Sequence, residues 1–161
     1  MSEKVTIEHF MGPAGISRGT FFSFRPNQKI HKIVISSGGE GNNNPIGMTF
    51  FSINEDGSTD TLTIGGGGTD TQVTRTDLVL LDDANEYLIG IRATFGPFVD
   101  KSPYDVLRSI KFITNVREFG PYGPNVGKSF TFQTTSKVVG FLGRSGLYIN
   151  AIGAYSESIV E

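Results

Sequence analysis

Cysteine and tryptophan are both absent from the 161 residues. Without cysteine there is no disulfide framework, no thiolate nucleophile and no zinc–thiolate site. That composition fits a reducing compartment. Net charge is also scarce: 14 Lys and Arg against 16 Asp and Glu leave −2. A balance of this kind offers no basic footprint for nucleic acid and no polybasic membrane contact. No apolar run is long enough for a membrane-spanning helix, and no charged-then-apolar leader is visible. The expectation is a soluble chain, cytoplasmic or nucleocytoplasmic, without membrane insertion. Helical signals are missing too, because no window carries a sustained 3.6-residue apolar stripe and glycines interrupt every long one. His9 and His31 are the two histidines, and neither has a partner at metal-ligand spacing. They read as strand residues, so no metal or other cofactor is expected.

What is present points to β structure. The chain holds 21 Gly and 13 Phe, with many Thr and Ser filling out a modest 37% apolar content. Apolar residues alternate at period two, the signature of half-buried strands. The alternation predicts strands at Val5–Phe10, Thr20–Phe24, Ile30–Ser36, Ile46–Ile53, Thr59–Ile64, Gln72–Leu80, Tyr87–Ala93, Val106–Thr114, Arg117–Phe119, Ser129–Thr134, Val138–Leu142 and Tyr148–Tyr155. Ser156 to Glu161 reads as a short tail. The chain is expected to form one domain over residues 1–161.

The strands repeat. Gly-rich loops recur at Gly12-Pro13-Ala14-Gly15, Gly65-Gly66-Gly67-Gly68 and Gly120-Pro121-Tyr122-Gly123. Each is followed by an apolar strand (Lys32–Ile35, Ile89–Arg92, Val139–Leu142), a second loop, and an apolar strand leaving it (Gly47–Phe50, Ser109–Phe112, Ala151–Ala154). The units run roughly over 12–64, 65–119 and 120–161, with the N-terminal strand completing the third. Twelve strands in three groups of four predict three sheets about a pseudo-threefold axis, a closure that protects strand edges.

Gly120–Gly123, Val139–Gly146 and Asn150-Ala151-Ile152-Gly153 resemble the jacalin-related plant lectins, as do Phe22–Pro26 and Leu107–Phe112. The resemblance covers essentially the whole chain. It implies the all-β β-prism I fold, three four-stranded antiparallel sheets with pseudo-threefold symmetry. It also implies a metal-free, non-enzymatic carbohydrate-binding protein, usually a homo-oligomer. The chain runs unbroken through the region cleaved in the galactose-specific branch. That makes it similar to the mannose/glucose branch, whose glycans are the expected partners.

The resemblance also implies a shallow three-loop site. Gly146 to Asn150 occupies the family's Gly-x-x-x-Asp pattern, so the N–H groups of Leu147 and Tyr148 would donate to sugar oxygens. Asn150 stands where the family carries an acid. A carboxylate accepts two hydroxyls, whereas Asn accepts with one atom and donates with the other, so weakened or altered specificity is implied. Gly19 matches the contact glycine of the first loop, although Ile16, Ser17 and Arg18 replace most of its glycines. Phe98, Val99 and Asp100 supply the third wall, with Phe98 against a pyranose face; Asp100 serves equally well as a loop hydrogen-bonder. The Ser37–Asn44 loop lacks the pattern, so a second site of that type is not expected. The alternative is a β-prism scaffold for protein interaction that has lost the sugar. Plainer readings cover the rest. Gly65–Gly68 is a turn needing positive φ, since no Lys-Ser/Thr follows it. Asp82-Asp83 lies in a polar turn. Phe21-Phe22-Ser23-Phe24 is core plus one exposed ring.

Overall fold

The computed structural model describes residues 5–39, 43–98 and 101–160. All regular structure among them is β: twelve strands in three four-stranded antiparallel sheets. Sheet A contains β1 (Val5–Gly15), β12 (Ile149–Val160), β11 (Lys137–Ser145) and β2 (Thr20–Phe24), in that spatial order. Sheet B contains β5 (Thr59–Gly65), β4 (Asn44–Ile53), β3 (Ile30–Gly38) and β6 (Val73–Leu80). Sheet C contains β10 (Lys128–Gln133), β7 (Leu88–Phe98), β8 (Ser102–Thr114) and β9 (Glu118–Tyr122).

Each sheet has one plan. A long central hairpin (β11–β12, β3–β4 or β7–β8) is flanked by two edge strands, and a Gly-rich loop joins those edges by crossing the hairpin tip. This Greek-key path brings six loops to one end of the molecule. Repeat and sheet boundaries are offset by one strand, because β2 and β6 pair in the sheet before the one their own repeat completes. The expected C-terminal tail is corrected. β12 runs on to Val160 and pairs with β1 from Val5 to Phe10, because Ser156 turns inward at 4% exposure and its small side chain fits there.

The inner faces meet in a core rich in Phe. Phe24 and Phe141 from sheet A stack with Phe50 of sheet B, at 5.9 and 4.8 Å between centroids, and Phe112 of sheet C meets Phe141 edge-on at 6.1 Å. Cross-strand partners at matching positions of the central hairpins are Ile33–Phe50, Ile91–Phe112 and Phe141–Ala154. Two sheets place the large ring on the outgoing strand. Sheet A reverses the order, so Phe141 fills space that Ala154 leaves. Phe22 and Phe24 are buried and Phe21 is exposed, as the sequence suggested.

Candidate functional site

The site is built at the tip of sheet A. Residues 146–148 turn β11 into β12, and their backbone groups divide cleanly. Gly146 N–H donates to the Tyr148 carbonyl at 2.9 Å, and the Leu147 carbonyl accepts from Gly67 N–H at 2.6 Å. Two carbonyls are thereby turned inward and satisfied. The N–H groups of Leu147 and Tyr148 find no acceptor among the described residues, leaving two adjacent donors at the rim. The Gly65–Gly68 loop, all four glycines at positive φ, is thus a turn that braces this tip from sheet B. Gly146 itself has open space around a would-be Cβ and no positive φ, so the turn does not need glycine there on steric grounds.

Asn150 is the second residue of β12, two residues past the tip, and is 9% exposed. Its Nδ2 donates to the Asp105 carbonyl of β8 at 3.3 Å. That bond orients the amide, since the opposite flip would set oxygen against oxygen. Oδ1 meets no donor among the described residues and remains an acceptor beside the two free N–H groups. The Asn150 carbonyl accepts Ile16 N–H at 2.9 Å, which fastens the first loop to the same strand.

That first loop lies directly on the tip. Gly19 has φ +82°, and a Cβ there would fall 2.6 Å from the Ser145 carbonyl oxygen; at Gly15, φ +119°, it would fall 2.2 Å from the Asn150 carbonyl oxygen. Only glycine permits both the conformation and the approach. Arg144 Nη1 donates to the Gly19 carbonyl at 3.1 Å. The Arg18 guanidinium lies 3.5 Å over the centre of the Tyr104 ring, next in sequence to Asp105. Asp105, Ile16 and the Arg18–Tyr104 pair were not foreseen. They act through a carbonyl and a ring on β8 and an N–H of the first loop, none of which leaves a local pattern.

The third wall differs from expectation. Phe98 is 3% exposed. Its ring packs edge-on to Tyr148 at 5.5 Å, lies under Gly39, where a Cβ would fall 2.4 Å from the ring, and has the Arg108 guanidinium 5.6 Å away. With Ile46, Val106 and Tyr148 it forms a small core beneath the loops, so it supports the tip and does not present a face to a sugar. Val99 and Asp100 lie outside the described residues, as do residues 40–42 of the Ser37–Asn44 loop. Tyr148 is held by its hydroxyl, 2.6 Å from Thr71 Oγ1, so its contribution to the rim is backbone. Leu147 is 49% exposed and offers the apolar surface there.

Pseudo-symmetry singles out this tip. The same glycine approach relates Gly15 to Asn150, Gly65 to Ile46 and Gly123 to Arg108. Ile46 is fully buried. Arg108 is spent on Asn44 Oδ1 at 2.7 Å and the Pro97 carbonyl at 2.6 Å, with burial holding its pKa below the usual guanidinium value. Of the three related positions, Asn150 alone offers a free acceptor.

Residues 11–155 match the family model for the jacalin-like lectin domain. The jacalin-related lectin Calsepa of Calystegia sepium is 50% identical over 154 residues, covering 94% of this chain and 97% of that protein. The crystal structure of Calsepa lectin in complex with a bisected glycan superposes with a TM-score of 0.84 at 50% identity, over 92% of this chain and 97% of that one. A mannose-binding jacalin-related lectin from Ananas comosus gives a TM-score of 0.74 at 28% identity, over 92% and 96%. In sequence, in its three-sheet architecture and in its loop-capped hairpin tip, the chain belongs to the jacalin-like lectin family, a family of carbohydrate-binding proteins and not of enzymes.

Proposed function

We propose that this chain binds mannose/glucose-type glycans at the tip of sheet A, with one sugar ring seated on the Leu147 and Tyr148 N–H groups and on Asn150 Oδ1. The observation that carries the reading is this trio: two free donors and one oriented acceptor, all on one rim and closed in by Gly19. Sugar hydroxyls donate and accept in pairs, so the trio matches two neighbouring hydroxyls. Glycan complexes of Calsepa lectin and the mannose-binding pineapple relative support the ligand class.

Single sites of this kind are shallow, and avidity from several sites raises effective binding by about 10²–10⁴. A homo-oligomer is therefore part of the proposal. Phe10 (69% exposed), Phe21 (53%) and Ile159 (64%) stand on the outer face of sheet A as an apolar contact surface. A cytoplasmic or nucleocytoplasmic setting is proposed on the lack of cysteine and the likeness to the mannose branch; a fluorescent fusion checks it.

Calorimetry with methyl α-mannoside and methyl β-galactoside, beside a glycan array, tests the main reading. Mannoside binding lost in Asn150→Ala is the expected result; binding to neither sugar at high protein concentration overturns it. The buried Phe98 ring favours the second reading, a scaffold without sugar, which predicts that same null result.

A further inference from the structure

A cleft of about 300 Å³ opens at the far side of sheet B, between its edge strand β6 and the β9 edge of sheet C, and Ser37, Asn43, Arg75, Asp77, Tyr122 and Pro124 line it. It is not a pseudo-symmetric copy of the Asn150 site. Ile46 and Arg108, the counterparts of Asn150, do not line it, nor does the Gly65–Gly68 loop, although Gly123, the counterpart of Gly15, does.

The register explains its chemistry. Arg75 pairs with Ser37 and Asp77 with Ile35, which is fully buried. Partners across a ladder share a face, so Asp77 (17% exposed) turns toward the seam between the sheets, while Arg75 (57% exposed) lies at its mouth. There they form a two-pronged ion pair, Nε to Oδ2 at 2.9 Å and Nη2 to Oδ1 at 3.1 Å. At the seam between β1 and β10 the corresponding space is filled by carbon: Phe132 packs under Gly12, and Met11 and Phe130 pack on the core. The β6–β9 seam is left open and polar.

Charges on an edge strand guard against edge pairing, and that accounts for Arg75 and Asp77 alone. It does not account for the rest of the lining, where Ser37, a residue only 1% exposed, still reaches the cleft. Tyr122 is half-buried, and its phenol meets no partner among the described residues. Burial and the Asp77 carboxylate raise its pKa, so at neutral pH it is a donor.

We propose that this seam cleft is a second binding site, for a small neutral polyhydroxylated ligand such as a single sugar ring or cyclitol. The Arg75–Asp77 pair cancels its own charge, which removes the attraction an ion would need. Three guanidinium N–H groups and the second lone pairs of the carboxylate remain available. With the Ser37 and Tyr122 hydroxyls they give the cleft a lining of mixed donors and acceptors. The volume is at the low end for ligand sites, suited to one ring.

Titration of the ¹⁵N-labelled chain with methyl α-mannoside, methyl β-galactoside and myo-inositol, one at a time, tests this by NMR. At least one probe is expected to shift the Arg75 Nε–H and the Ser37 and Gly123 amides saturably. The shifts persist in Asn150→Ala, while Ser37→Ala and Tyr122→Phe, which keep the packing, each weaken the response roughly five- to tenfold. No saturable shift with any probe up to its solubility limit overturns the proposal. So does disappearance of the shifts in Asn150→Ala, or a response to inorganic phosphate in place of the neutral probes. Leu147 and Tyr148 amides report the Asn150 site in the same spectra, so failure at one site is distinguishable from failure at the other.

Discussion

Asn150 divides its amide between two tasks: Nδ2 holds the Asp105 carbonyl, and Oδ1 faces the rim. Replacing it with Asp separates the two. A carboxylate accepts sugar hydroxyls through charge-assisted bonds, about twice as strong as neutral ones, but it sets an oxygen against the Asp105 carbonyl. Asn150→Asp is therefore expected to bind methyl α-mannoside roughly three- to tenfold tighter by calorimetry, while melting at a lower temperature than the parent chain. Unchanged affinity would remove Asn150 from the contact surface. Two glycines behave oppositely for steric reasons. Gly19→Ala forces a side chain into φ +82° and against the Ser145 carbonyl, and should cost about 1–3 kcal/mol in urea unfolding. Gly146→Ala meets open space and should stay within about 0.5 kcal/mol of the parent. Any affinity lost in Gly146→Ala is then a ligand contact and not a folding defect.

At the scale of elements, the existence of all twelve strands was legible in the alternation, and most ends fell within a few residues. The misses have physical causes. The strand expected at Tyr87–Ala93 continues through Gly96-Pro97 to Phe98. β10 pairs only as far as Phe95, so the missing Pro97 N–H lies where no ladder needs it, and its carbonyl takes the Arg108 guanidinium. The strings Lys32–Ile35, Ile89–Arg92 and Val139–Leu142 also lie one residue out of step, since Ile33, Ile91 and Phe141 are the true counterparts. Which residue faces which is set by cross-strand pairing, Ile33 with Phe50, Ile91 with Phe112 and Phe141 with Ala154, and one-dimensional alternation does not record it.

The turn from β8 to β9, far from the site, is tied by charge. Arg117 Nε and Nη2 each donate to Glu86 at 2.9 Å, and Thr114 Oγ1 donates to Glu86 Oε2 at 2.7 Å. The hydrogen bonds from Arg117 hold the Glu86 carboxyl below its usual range against the opposing effect of burial, with Thr114 adding to them. A depressed folded pKa contributes stability that is complete above the unfolded value and lost as pH falls through the folded one. Thermal stability should therefore drop below about pH 5. In Glu86→Gln the acid limb should be shallower and the neutral-pH melting temperature lower. An identical acid limb in the variant would show that the pair is not coupled to unfolding.

For the whole molecule, one ring joins all three sheets. Phe141 belongs to sheet A, is fully buried, and touches Phe50 of sheet B and Phe112 of sheet C. Truncating it leaves a cavity opposite Ala154, where nothing can collapse inward. Phe141→Ala is expected to cost about 3–5 kcal/mol, measured by urea unfolding; a loss near 1 kcal/mol would mean that the sheets are held mainly elsewhere.

The sequence by itself determined the local and repeating features: strands from period-two alternation, turns from glycine, three units from their recurrence, and the family from motifs spread along the whole chain. Those properties depend on neighbours in the chain or on copies of a pattern, so they can be read in one dimension. The tertiary structure decided the rest. Phe98 had to be placed before it could be seen as support for Tyr148 and not as a wall. Asn150 had to meet the carbonyl of Asp105, forty-five residues away, before the orientation of its amide was defined. The seam cleft exists because two edge strands of different sheets fail to fill the space between them. Such features come from groups distant in sequence meeting in space, and alternation carries no record of that.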